Sequence, residues 1–185
     1  QQVLGVSGLG LAPNHNFWGT SSSEDVFSIV NLAIDNGRTG SGGWASYFMP
    51  AEDGARGDCP MSAEIIAAYN EEAGDLRFEG LNKVGENGLT YSLKFADPVN
   101  NTDNSPVIRY TEVVLNVAEA LAEVNGVNQE SLDLVNSLRT RAGLAAWTLE
   151  QVTELDANGT SFVSLILNER RIVILIDCTS NTLIT

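Results

Sequence analysis

Apolar residues in the second half of the chain recur at steps of three and four. Val107, Tyr110, Val114, Val117, Leu121 and Val124 fall on one face of a helix of about five turns. Ser105 suits the N-cap of that helix and Pro106 its first residue, where the missing N–H costs nothing. Asn125-Gly126 stops it. Asn128 opens a second helix with Leu132, Val135, Leu138 and Ala142 on one face, and Gly143 suits the position just past its end. So short a link makes the two helices an antiparallel hairpin. Thr148 and Gln151 have capping-box spacing and start a third helix; a fourth covers about residues 161–176.

The first half has another texture. Residues 1–23 are rich in Gly, Ser and Asn, with Phe17 and Trp18 as the large anchors. Residues 23–30 alternate in part and carry β-favouring side chains, which predicts a short strand. Residues 36–60 form a glycine-rich loop interrupted by Trp44, Tyr47 and Phe48, and a loop of that length is usually functional or disordered. Ser62 caps a short helix over 63–72, which Gly74 ends. A turn at 85–88 precedes a strand over 89–95 and a polar loop over 97–104. The expected fold is mainly α, with a few short strands and long loops. It divides into a loop-rich ligand-side segment (1–104), a helical scaffold (105–177) and an atypical tail (178–185).

Charge narrows the partners. Ten Lys and Arg stand against 24 Asp and Glu, a net charge of -14. Nucleic acid and anionic lipid headgroups are poor partners for such a surface. No apolar run reaches the 18 residues of a spanning helix; the strongest, at 113–117 and 172–176, are far shorter. The chain begins Gln1-Gln2 and shows no signal-peptide pattern, so the expectation is a leader already removed or an internal piece of a longer protein. Cys59 and Cys178 are read as two thiols, with a bridge as the alternative. With His15 alone they make no closed zinc site, and no metal or other cofactor is expected.

Arg109, Glu112 and Glu119 form one charged set, in which Arg109 and Glu112 can pair along the first long helix. Arg139, Arg141, Glu169, Arg170 and Arg171 form a second. Both read as scaffold, as salt bridges between helices and caps near their ends. Arg56-Gly57-Asp58 matches an integrin-recognition tripeptide that chance supplies often. The oxygen-rich 97–104 segment lacks the spacing of an EF-hand.

The loop aromatics carry the most chemistry. An indole or phenol ring laid flat against a pyranose meets the sugar's C–H bonds with its electron-rich face. Neighbouring Asn, Asp and Arg then bond the hydroxyls. Trp44, Tyr47 and Phe48, with Asp53, Arg56 and Asp58 close by, have that composition, and Trp18 is a further candidate. The alternative is that one or two of these rings anchor the loop to the core.

Five segments, in order, resemble one family. Glu24-Asp25-Val26-Phe27-Ser28-Ile29 is similar to its strand, and Ala68-Tyr69 with Asp75-Leu76-Arg77 to its "Y…D-x-R" segment. The run from Ser105 through Arg109-Tyr110-Thr111-Glu112 to Ala120 resembles its signature helix. Asn136-Ser137-Leu138-Arg139-Thr140-Arg141-Ala142-Gly143-Leu144 and Ile166-Leu167-Asn168-Glu169-Arg170-Arg171 complete the set. The family is SusD/RagB, surface nutrient-binding lipoproteins of Gram-negative outer membranes. The resemblance implies tetratricopeptide-like helical hairpins and a surface-exposed outer-membrane location through a lipid anchor outside this chain. It implies capture of an oligosaccharide or polysaccharide and delivery to a TonB-dependent SusC-like transporter, with no catalytic residue. Some members handle peptides, and a scaffold fragment docking on the transporter is the other alternative. After Arg171 the sequence departs from the family's usual "E-G-x-R" continuation, and the family's N-terminal half has no counterpart here, so the resemblance makes this the C-terminal portion of a longer protein.

Overall fold

The computed structural model describes residues 2–12, 22–35 and 43–174. Trp18, His15, Cys178 and the 178–185 segment lie outside the described residues. Among the described residues seven α-helices run in order: α1 (Trp44–Phe48), α2 (Ala63–Tyr69), α3 (Leu76–Leu81), α4 (Tyr110–Asn125), α5 (Gln129–Arg141), α6 (Leu149–Ala157) and α7 (Phe162–Ile174). The described residues also form four short strands, β1 (Asp25–Ile29), β2 (Asn82–Val84), β3 (Thr90–Ser92) and β4 (Ser105–Arg109), which pair as two antiparallel ribbons, β1 with β4 and β2 with β3. The fold is mainly helical, as expected. No helix among the described residues is long and apolar enough to cross a membrane.

The helical half is two successive hairpins, α4–α5 and α6–α7, with α7 also packed on α4. Local signals set their ends. The Asn128 side chain accepts from the Ser131 amide at the start of α5, and Thr148 and Gln151 form a reciprocal capping box at the start of α6. Gly143 follows α5 at φ +83°, a conformation that costs glycine nothing. The core joins Val114, Leu115, Ala118 and Ala122 of α4 to Leu132, Val135 and Leu138 of α5, Val152 of α6, and Phe162 and Ile166 of α7.

Two expectations about α4 are corrected. Ser105 to Arg109 is strand, not the first turn of the helix, because it pairs with β1 from Asp25 to Ile29. Arg109, in extended backbone, is the N-cap, and the helix starts at Tyr110. The buried face is also rotated. Alanines 118 and 122 form the seam, whereas Val107 lies in β4 half-exposed and Val124 is exposed. Small residues let α5 come close enough for the Ser131 hydroxyl to donate to the Ala118 carbonyl at 2.7 Å.

The 63–72 helix is shorter than expected, ending at Tyr69 and capped by Ser62. α2 packs on the end of α7 through Met61, Ile65, Ala68, Tyr69 and Ile172. The Tyr69 hydroxyl donates to the Ile172 carbonyl at 3.0 Å, and the Lys94 ammonium donates to the Val173 carbonyl at 3.0 Å. Two side chains from the first half thus cap the last turn of α7. Cys59 is disulfide-bonded, which overturns the reading of free thiols.

Buried charges clamp distant segments. Glu24, just before β1, is fully buried. Its carboxylate accepts from the Ala12 amide (3.0 Å), Arg109 (2.9 Å), the Thr111 hydroxyl (2.5 Å) and Arg141. Arg109 therefore pairs with Glu24 rather than with Glu112. A second cluster centres on Glu169 of α7, which accepts from Arg77 and Arg139, both at 2.9 Å. Asp75 holds the other side of Arg77, and Glu72 takes Arg139 through two nitrogens at 2.8 and 2.6 Å. The Trp147 ring lies 3.8 Å from the Arg139 guanidinium carbon. Arg170 joins α7 to α4 through Asn116 and Glu119. The second charged set is scaffold, as its sequence suggests. Arg77 and Arg139 each meet two carboxylates, which offsets the desolvation that makes isolated buried pairs unfavourable, whereas Arg109 and Arg141 share the one carboxylate of Glu24.

Candidate functional site

Gly43 sets the position of the loop aromatics. A Cβ there would lie 1.9 Å from the Asn101 Oδ1 and 2.8 Å from its Cβ, so only glycine lets the 43–48 segment lie against the 97–104 loop. That loop is built on Asp97. Its carboxylate accepts from the Asn100 amide at 2.9 Å and from the amide and hydroxyl of Thr102. Burial pushes the Asp97 pKa up, and these hydrogen bonds pull it further down, leaving it below the ordinary aspartate value.

α1 then presents Trp44 and Phe48 beside Phe95, which follows β3. The three rings stack nearly parallel. Trp44 lies 6.3 Å from Phe48 and 5.8 Å from Phe95, and Phe48 lies 6.1 Å from Phe95, with interplanar angles of 20–26°. Phe95 is buried, and Trp44 at the edge of the stack is 50% exposed. The indole N–H donates to the Ser105 hydroxyl at 2.8 Å. Asn31 steadies that hydroxyl: its amide donates to Ser105 at 3.3 Å and to the Asp103 carbonyl at 2.6 Å.

These rings form one wall of a cleft of about 370 Å³. Its other wall is Ser105, Pro106, Val107 and Arg109 of β4, Thr111 and Glu112 in the first turn of α4, and Val173 of α7. The cleft is therefore apolar on one side and mixed on the other, the composition expected of a small-molecule site. Burial pulls the Arg109 pKa down to about 10, against the opposing pull of Glu24. Glu112 is half-buried and bonds no other described residue.

Trp44 and Phe48 meet at this cleft, and Tyr47 does not line it. The Tyr47 ring instead carries the Arg56 guanidinium at 4.9 Å. The polar neighbours suggested by sequence proximity are engaged elsewhere. Arg56 and Asp58 pair with each other at 2.5 Å, so the Arg56-Gly57-Asp58 tripeptide closes on itself, and Asp53 pairs with Lys83 at 2.6 Å. Phe95, Ser105, Thr111 and Glu112 were not site candidates from sequence. Only Phe95 carries a local signal, as the aromatic end of the 89–95 alternation. Among the described residues no cluster of His, Cys, Asp or Glu could hold a metal ion.

The SusD family model matches residues 82–173, from β2 to the last turn of α7. The chain belongs to the SusD family. A SusD superfamily protein from Bacteroides vulgatus ATCC 8482 superposes with a TM-score of 0.67 at 18% identity, over 92% of this chain and 42% of that one. Another from Bacteroides thetaiotaomicron VPI-5482 gives 0.64 at 21%, over 92% and 40%. Surface glycan-binding protein A from Bacteroides thetaiotaomicron, in complex with laminarihexaose, gives 0.60 at 15%, over 93% and 47%. The chain thus spans less than half the length of these SusD-like structures. No curated protein matches it. The match takes in three of the five sequence segments, those from Ser105 onward, and the two stacked helical hairpins.

Proposed function

We propose that this SusD-family chain takes part in capturing a surface glycan, with the Trp44 cleft as its contact. One observation carries the reading: a half-exposed indole, braced by Phe48 and Phe95 and fixed by Ser105, faces a cleft whose opposite wall offers hydroxyls and a carboxylate. A fixed ring loses little freedom when a pyranose stacks on it, so more of the stacking energy appears as affinity. The neighbour with bound laminarihexaose supports a saccharide as the ligand class. In this reading, Trp44 and Phe48 supply the platform, while Tyr47 shapes the loop behind it and Trp18 stands as a further candidate.

The reading assigns no covalent chemistry. Glycoside hydrolysis ordinarily uses two carboxylates across the bond, and the cleft lining holds one, Glu112. Family membership extends the proposal to a place on the outer-membrane surface and to delivery of the glycan to a SusC-like TonB-dependent transporter. The test is calorimetric titration of the chain against a panel of neutral oligosaccharides that includes laminarihexaose, with Trp44→Ala in parallel. Loss of a stacking ring weakens binding by about tenfold or more. Affinity retained in Trp44→Ala, or no binding across the panel, overturns the reading.

A further inference from the structure

We propose that the cleft selects uncharged saccharides over acidic ones and that Glu112 sets this choice; the proposal rests on the glycan reading above. Two charged side chains line the cleft, Arg109 and Glu112. Arg109 is committed to the protein. It donates to the Glu24 carboxylate at 2.9 Å, and Glu24 is fully buried between Arg109 and Arg141. Glu112 has no such commitment among the described residues. The charged group that the cleft leaves for a ligand is therefore the Glu112 carboxylate.

A carboxylate only accepts hydrogen bonds. Neighbouring hydroxyls of a neutral sugar can each give it one, whereas the carboxylate of a uronic acid has no hydrogen to give. The uronate also brings a like charge to a wall whose opposite side is three aromatic rings, where screening is weaker than in open water. The net charge of -14 repels a polyanion in the same direction at longer range. Glu112 has a structural use as well, since a carboxylate in the first turn of α4 complements the helix dipole. That role affects stability and leaves ligand choice alone, which allows the two to be separated.

The experiment compares matched pairs on the full chain: laminarihexaose against the same hexasaccharide oxidised at C6 to the hexauronate, together with other neutral and uronate oligosaccharides. Wild type binds the neutral member about tenfold or more tightly, a ratio expected for one uncompensated like charge in a half-open cleft. Glu112→Gln lowers that ratio about tenfold, mainly by admitting the uronate. Glu123→Gln changes net charge equally from an exposed position on the same helix, and it leaves the ratio where it was. High salt narrows the wild-type ratio. A wild-type ratio near one overturns the selection. So does a ratio that Glu112→Gln leaves unchanged, whatever happens to the melting temperature; in both cases Trp44-dependent binding still stands. If no oligosaccharide binds, or if binding survives Trp44→Ala intact, the glycan reading falls and this proposal falls with it.

Discussion

Replacing Glu24 by Gln keeps the shape of the side chain and removes one charge. The site it leaves holds two guanidinium groups, Arg109 and Arg141, whose side chains are only 11% and 7% exposed. An amide offers one acceptor and one donor, so one of the two arginines meets an N–H where it met an oxygen. Removing one partner from a buried ion pair costs about 3–5 kcal/mol. An entropy of unfolding of about 0.4 kcal/mol/K for a chain of this length turns 4 kcal/mol into a fall of about 10 °C. Urea unfolding and calorimetry measure both numbers, and an unchanged denaturant slope shows that the two states being compared remain the same. Adding Arg141→Met to Glu24→Gln removes one orphaned charge and restores part of the loss. A cost below about 1 kcal/mol, or additive effects in the double variant, refutes the claim that Glu24 is the counter-charge of both arginines.

Gly43→Ala drives a methyl group into Asn101, and the overpacking costs about 1–3 kcal/mol. It also shifts tryptophan emission as Trp44 loosens; the double variant with Asn101→Gly recovers both, and an unshifted spectrum refutes the contact. Lys94 gives the chain a pH dependence. Burial, with Arg109 and Arg77 nearby, pulls its pKa from 10.5 down to about 7. Between these values the unfolded lysine holds a proton that the folded one has lost, so stability rises as pH rises through that window. The slope is at most about 1.4 kcal/mol per pH unit. Urea midpoints at pH 7, 8 and 9 rise for wild type and rise less for Lys94→Met; equal slopes refute the assignment.

The helices written in local code were legible in the sequence. Thr148 and Gln151 sit three residues apart and cap the same helix they announce, and Asn128 does the same for α5. Ser105 to Arg109 misled because Pro106 and Val107 satisfy a helix start as well as they satisfy an edge strand. The choice belongs to β1, about eighty residues earlier in the chain. The core face of α4 was displaced for a related reason: valines mark a helix by hydropathy, while alanines win the seam when a neighbouring backbone must come close. Trp44 and Phe48 could be suspected from ring chemistry within one loop. Ser105, Thr111 and Glu112 could not, because they reach the rings only through the β1–β4 pairing. The partners of Arg56 and Asp53 were equally out of reach, since sequence neighbours need not point the same way.

The Glu24 clamp also constrains the order in which the chain can assemble. Helices α4 to α7 pack within one continuous stretch of chain, α5 and α7 on α4 and α6 on α7, so their contacts span shorter separations than the Glu24 pairings do. Arg109 and Arg141 belong to that stretch, and until a counter-charge arrives they remain in water at little cost. The counter-charge comes from Glu24, 85 residues before one arginine and 117 before the other. Enclosing both guanidiniums must therefore coincide with the docking of β1, because a half-docked ribbon would shut a cation away without its partner. The same pairing holds β4, and with it the Ser105 hydroxyl that fixes Trp44, so the charge clamp and the cleft depend on one contact between distant segments.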